Sequence, residues 1–230
     1  ASGLLKLASV GQTEGFVARN VTYDGESHYP LSSNDQTLPW CYGMWRYLNS
    51  GIPDETESRL VKDKIMAVAE LLNSHGFKIP ADRPPFDYFG DFSPVNWTGT
   101  PRMLFVIKMA YDVSGEERWE QIYRQALTET NSNGINRLEI CRSGMVSALD
   151  RYHTWTAILG VLGLRGLWEL EEDPAIKAAY EQGLIASAAV GAESLPLAFK
   201  FDNNDKKEFL LDWRALNTLW KEQESVKDAL

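Results

Sequence analysis

The sequence predicts an all-α fold assembled from helical hairpins. Three observations carry that expectation. Apolar residues recur at three- and four-residue spacing in several windows. Helix-start and helix-stop residues stand at the ends of those windows. A junction made of an aromatic, a tight turn and an acidic helix start recurs at Tyr47, Tyr111 and Trp168, roughly 60 residues apart.

Taken in order, residues 3–10 read as the stub of a first helix. Residues 15–36 are polar, and Asp24-Gly25 lies between two short extended runs, which predicts a β-hairpin turn. Residues 36–48 form a helix rich in Trp and Tyr. Asp54 then caps an amphipathic helix, with Glu57 three residues on. Val61, Ile65, Val68, Ala69 and Leu72 form its core stripe, and Gly76 ends it. Residues 101–111 contain the apolar run Met103 to Ile107, so that helix is expected to be buried. Trp119, Ile122, Tyr123 and Ala126 mark a second amphipathic helix. Residues 153–170 are apolar nearly all round, which predicts burial on every side. Gly160, Gly163 and Gly166 run along that helix at every third position. Glycine weakens a helix by about 1 kcal/mol, so three together predict a seam where a neighbour approaches closely. Asp173-Pro174 starts a third amphipathic helix, and Phe209, Trp213, Leu216 and Trp220 mark a fourth.

The segments 77–96, 131–152 and 191–205 read as long return loops, which in a compact fold are usually functional. The whole chain of 230 residues is expected to be one domain.

Composition narrows the function. The 23 basic residues against 32 acidic ones give a net charge of −9. That disfavours nucleic acid, which needs a cationic face, and anionic membrane surfaces. The longest uncharged runs are about eleven residues, short of the roughly 20 that span a bilayer. Cys41 and Cys141 form either one bridge or two buried thiols. The chain opens Ala1-Ser2-Gly3 without a basic or apolar leader region. A periplasmic or extracellular bacterial location follows only if a leader has been removed. Asn20-Val-Thr22 and Asn96-Trp-Thr98 are sequons, relevant only to a secreted eukaryotic protein. No phosphate loop, nucleophile elbow or His-Glu-x-x-His is present. Cys41, Cys141, His28 and His153 lack the short spacing of a zinc site, so no metal and no cofactor are expected.

The repeat of buried helix, aromatic-x-x-Ser-Gly-x-x-(Asp/Glu) junction and outer helix resembles the (α/α) toroid carbohydrate-active proteins, the six-hairpin glycosidase-like superfamily. The resemblance covers residues 36–191. It implies inner helices around a common axis, with sites where the return loops converge. Three or four hairpins would make a partial or truncated toroid, one that lacks N-terminal hairpins or is completed by a second copy as a homo-oligomer.

Three segments hold the candidate residues. The first, residues 15–36, contributes Arg19, His28, Tyr29 and Asp35. Two roles compete for Asp35. It is either the N-cap of the following helix or, with Ser33 as cap, a carboxylate aimed into the axis whose pKa burial would raise. The second, residues 84–97, alternates aromatics with acids. Asp87 and Asp91 are its carboxylates, and Tyr88 and Trp97 its flat rings, which suit sugar stacking and hydroxyl recognition. The third, residues 136–155, supplies Arg142, Arg151 and His153 as partners for an acidic sugar, since Arg offers a bidentate fork. The functional expectation is a glycoside hydrolase acting on an oligosaccharide or polysaccharide, including one that contains uronic acid. Asp35 with Asp87 or Asp91 would form the acid/base pair. The alternatives are a polysaccharide lyase, with Tyr29 or Tyr152 as base and Arg142 or Arg151 neutralising the uronate, and a non-catalytic sugar-binding or scaffold protein.

Overall fold

A computed structural model describes residues 1–84, 87–148 and 154–198. Eight α-helices and one two-stranded sheet lie among them: α1 Ser2–Leu7, α2 Asn34–Leu48, α3 Glu55–Ser74, β1 Lys78–Pro80, β2 Tyr88–Asp91, α4 Thr100–Ser114, α5 Glu117–Thr128, α6 Arg137–Ser143, α7 Thr154–Leu170 and α8 Pro174–Ala198. The fold is all-α. None of the described helices is long and apolar enough to cross a membrane. Residues 1–188 form one compact unit. Residues 189–230 form another, of which Ala189–Ala198 are described as helix. The predicted helix at Phe209 to Trp220, together with Arg151, Tyr152 and His153, lies outside the described residues.

The local signals act as the sequence implies. Asp54 caps α3 by accepting a hydrogen bond from the Glu57 amide at 2.8 Å. The five residues of the predicted stripe are the buried residues of α3. Gly115 ends α4 in the left-handed conformation. Asp173 accepts from the Ala175 and Ile176 amides at 2.9 and 3.2 Å and so caps α8.

Helix α4 is the centre of the larger unit. It is buried from Thr100 to Ala110 and packs against α2, α3, α5, α6 and α7. The α7 glycines explain the close approach. A Cβ at Gly160 would lie 2.7 Å from the Trp97 ring, at Gly163 2.6 Å from the Pro101 carbonyl, and at Gly166 2.3 Å from the Phe105 ring. Helix α2 also meets α7 directly, with Arg46 paired to Glu169.

Several expectations are corrected. Helix α7 is not buried on all sides: Ile158 is 63% exposed and Arg165 is exposed. The hairpin at Asp24-Gly25 is a single antiparallel bridge, Val21 to His28, closed by the Thr22 amide on the Ser27 carbonyl. The true strands lie in the predicted loop 77–96, where β1 pairs antiparallel with β2. The predicted loop 131–152 contains α6 and a 3-10 helix at Gly144–Ala148. Where a loop was expected from residue 191, α8 continues to Ala198. Cys41 and Cys141 are free and buried, and burial pushes the Cys41 thiol up to about 12 and the Cys141 thiol higher still.

Candidate functional site

Two segments that carry candidate residues, 15–36 and the return segment 77–96, are tied to each other by long-range polar contacts. The Asp82 carboxylate accepts from the Thr13 amide at 2.7 Å and pairs with His28 Nε2 at 2.8 Å. Its own amide donates to the Pro30 carbonyl at 2.9 Å. The His28 ring rests against Phe16 at 5.8 Å between centroids. Burial pushes the Asp82 carboxyl up, but the Thr13 and Gln12 amides and the His28 imidazole outweigh it. The net shift is downward. At the other end of the seam, Asn34 Oδ1 accepts from the Asp91 amide at 2.8 Å, joining the start of α2 to the end of β2. Gly90 makes this approach possible: a Cβ there would lie 2.8 Å from Asn34 Oδ1.

The seam carries an open aromatic surface. The Arg19 guanidinium lies 6.0 Å from the Tyr29 ring centroid and 5.8 Å from that of Phe89. Both rings are half in solvent, at 47% and 49% exposure. The β1–β2 register shifts within the pair, so alternation does not assign the faces of β2; Phe89 is exposed and Asp91 half-buried. Tyr88 is exposed, with the Lys78 ammonium 4.9 Å from its ring.

The carboxylates take different positions. Ser33 is the N-cap residue of α2, so Asp35 sits in the first turn, half-buried. Asp35 also acts on Arg102, a buried guanidinium that burial pushes down to about 10 while Asp35 works to raise it. Asp91 is half-buried, and its Oδ1 accepts from the Ser93 amide at 2.8 Å. Asp87 is exposed, and its carbonyl accepts from the Ala81 amide. Asp35 and Asp91 therefore flank the Asn34–Asp91 link, whereas Asp87 stands apart from it at the far end of β2.

Three expected binding residues do not join this surface. Trp97 is 2% exposed and lies against Gly160 of α7, so its ring belongs to the core rather than to a stacking face. His28 is engaged by Asp82 and is mostly buried, as a histidine serving the fold would be. Arg142 is exposed on α6 and paired with Glu139 at 2.8 Å.

Sequence reasoning missed the charges inside the core. Lys108, on buried α4, lies 3.4 Å from Glu171 and 3.3 Å from Glu120. Tyr123 donates to the other Glu171 oxygen and meets the Tyr180 hydroxyl. Glu171 Oε1 also accepts from the Glu172 and Asp173 amides at 3.0 Å each. The available signal was Arg102 and Lys108 bracketing the apolar run Met103 to Ile107. A charge within an all-buried helix requires a partner. This network sits at the short-turn end of the helices, away from the aromatic surface, and its contacts are structural. Among the described residues, no group of three His, Cys, Asp or Glu side chains is arranged to hold a metal ion. No family model, no curated protein and no solved structure matches the chain.

Proposed function

We propose that the chain is a carbohydrate-active protein that receives an oligosaccharide on the surface shared by residues 15–36 and 77–96. The observation that carries this reading is the Arg19 guanidinium within about 6 Å of both the Tyr29 and Phe89 rings, on two segments that the Asn34–Asp91 hydrogen bond also ties together next to Asp35 in sequence. Half-exposed rings offer flat apolar faces to pyranose rings. Carboxylates and the guanidinium match hydroxyls and, in a uronic-acid sugar, a carboxylate. The catalytic version of the proposal is a glycoside hydrolase in which Asp35 and Asp91 serve as the carboxylate pair. One would protonate the leaving oxygen, while the other would attack the anomeric carbon or activate water. Succession of α2–α3, α4–α5 and α7–α8 as helical hairpins supports the finer fold reading, an open part of an (α/α) toroid. Because α2, α4 and α7 meet one another, the substrate would lie across the N-terminal ends of α2 and α4, not along an axis between them.

The test is a panel of neutral and uronic-acid oligosaccharides assayed for binding and for released reducing ends. Asp35→Asn keeps the side chain's size. In the hydrolase it lowers turnover about 10²–10⁴-fold while binding persists, and thermal unfolding measures separately what losing its charge near the buried Arg102 costs the fold. Binding without any turnover in the wild type would leave the non-catalytic sugar-binding reading. Absence of both would overturn the proposal. A scaffold that pairs with a second copy is favoured by one feature, the exposed Ile158 on α7. A concentration-dependent dimer in sedimentation would support it.

A further inference from the structure

The arginines of α2, α3, α5, α6 and α7 are each paired with a glutamate, as in Arg46–Glu169 at 2.5 Å and Arg142–Glu139 at 2.8 Å. With 32 acidic residues against 23 basic ones, the chain has acids to spare. Two arginines depart from the pattern, and both lie in the segments 15–36 and 77–96. Arg19 and Arg83 are exposed, make no ion pair and donate no hydrogen bond among the described residues. Acids of the same segments turn to other groups. Asp24 accepts from the Thr22 hydroxyl and the Glu26 amide, Asp82 pairs with His28, and Asp91 accepts from the Ser93 amide.

Arg19 is held all the same. Its guanidinium lies 6.0 Å from the Tyr29 ring centroid and 5.8 Å from that of Phe89. A cation is attracted to the negative face of such a ring. Arg19 donates no hydrogen bond to either residue, so its fork of five N–H donors stays available. Arg83 adds a second cation close by in the backbone. It follows Asp82, whose amide donates to the carbonyl of Pro30, the neighbour of Tyr29.

We propose, resting on the sugar reading of this surface, that it selects an acidic pyranose and that Arg19 holds the carboxylate. The cluster offers two things together: half-exposed rings and an unspent guanidinium. An acidic pyranose uses both, with its C–H face on a ring and its carboxylate on the fork. A neutral sugar leaves the fork unspent, and a simple anion leaves the rings unspent. The nearby carboxylates Asp35 and Asp91 repel an anion, so the acid group is directed to Arg19 and the hydroxyls to the carboxylates.

The test titrates the full chain calorimetrically with trimers of galacturonate, mannuronate and glucuronate, each beside its own methyl ester, which keeps the shape and removes the charge. At least one acid trimer should bind about tenfold or more tightly than its ester, the worth of a charge-assisted hydrogen bond. Raising sodium chloride from about 50 to about 500 mM should narrow that ratio. Arg19→Gln, at an exposed position, should bring the ratio near one while circular dichroism stays unchanged. Arg19→Lys keeps the charge without the fork and should give an intermediate ratio. An end-blocked glutamate trimer, which has the charge and no pyranose, should not compete. Equal binding of acids and esters, a preference that persists in Arg19→Gln, or equal binding of the glutamate trimer would overturn the proposal and leave the sugar reading standing. Binding of no saccharide at all would overturn both.

Discussion

Asp82 holds together two segments whose contacting residues, His28 and itself, are 54 positions apart. Its depressed pKa fixes the sign of its pH dependence. The folded state prefers the charged carboxylate, so its contribution to stability is present above the unfolded pKa. It is lost as pH falls through the lower folded value. Asp82→Asn should therefore destabilise at neutral pH by about 1–3 kcal/mol, the range for a broken buried hydrogen bond. The gap to wild type should narrow once pH falls below the ordinary value of 3.8. Urea denaturation from pH 7 to pH 2.5 measures this, and a gap that widens in acid would contradict it. Asp82 was not legible as a key residue, because a lone Asp before Arg-Pro-Pro carries no periodicity. His28 was legible only as a histidine in a polar stretch. What assigns it to the fold is Asp82, and no spacing rule connects the two.

At the scale of elements, the glycines of α7 were readable because helix periodicity puts Gly160, Gly163 and Gly166 near one face. The surroundings of a helical glycine decide the sign of a substitution to alanine, as Gly163 in α7 and Gly43 in α2 show. Gly163→Ala places a methyl 2.6 Å from the Pro101 carbonyl. Backbone cannot yield as a side-chain tip can, so overpacking should cost about 1–3 kcal/mol. Gly43 in α2 has only the Leu4 Cδ1 atom near its missing Cβ, at 3.9 Å. Gly43→Ala should stabilise by up to about 1 kcal/mol through helix propensity. Thermal unfolding of both variants checks the pair, and a neutral Gly163→Ala would place α7 further from α4 than described. The β1–β2 sheet was not legible. A three-residue strand ending in Pro80 and a four-residue partner containing Gly90 give too few alternating positions, and their pairing depends on contacts with Phe77 and Asn34. Helix α7 was misjudged for a related reason: periodicity reports how apolar a helix is, not which neighbours are present to cover Ile158.

Across the whole molecule, the buried polar network joins α4, α5 and the α7–α8 turn through Lys108, Glu171 and Tyr123. Lys108→Met should cost about 3–5 kcal/mol, since it strips a buried carboxylate of its cation. Adding Glu171→Gln should recover part of the loss, and a double-mutant cycle in urea reads the difference. Additive losses would mean that the two groups do not depend on each other. The order of the helices was legible because most of them have their own local start, stripe and stop. The convergence of the candidate site was not, because Asn34–Asp91 and Arg19–Phe89 are set by packing between distant segments. That convergence is the central claim, and amide nuclear magnetic resonance during an oligosaccharide titration tests it most directly. The account predicts that Arg19, Tyr29, Asn34, Phe89 and Asp91 shift together along one saturation curve. It also predicts that Phe89→Ala weakens binding by about 1–3 kcal/mol, the worth of a lost aromatic anchor. Saturable shifts confined to one segment, or binding left unchanged in Phe89→Ala, would contradict it.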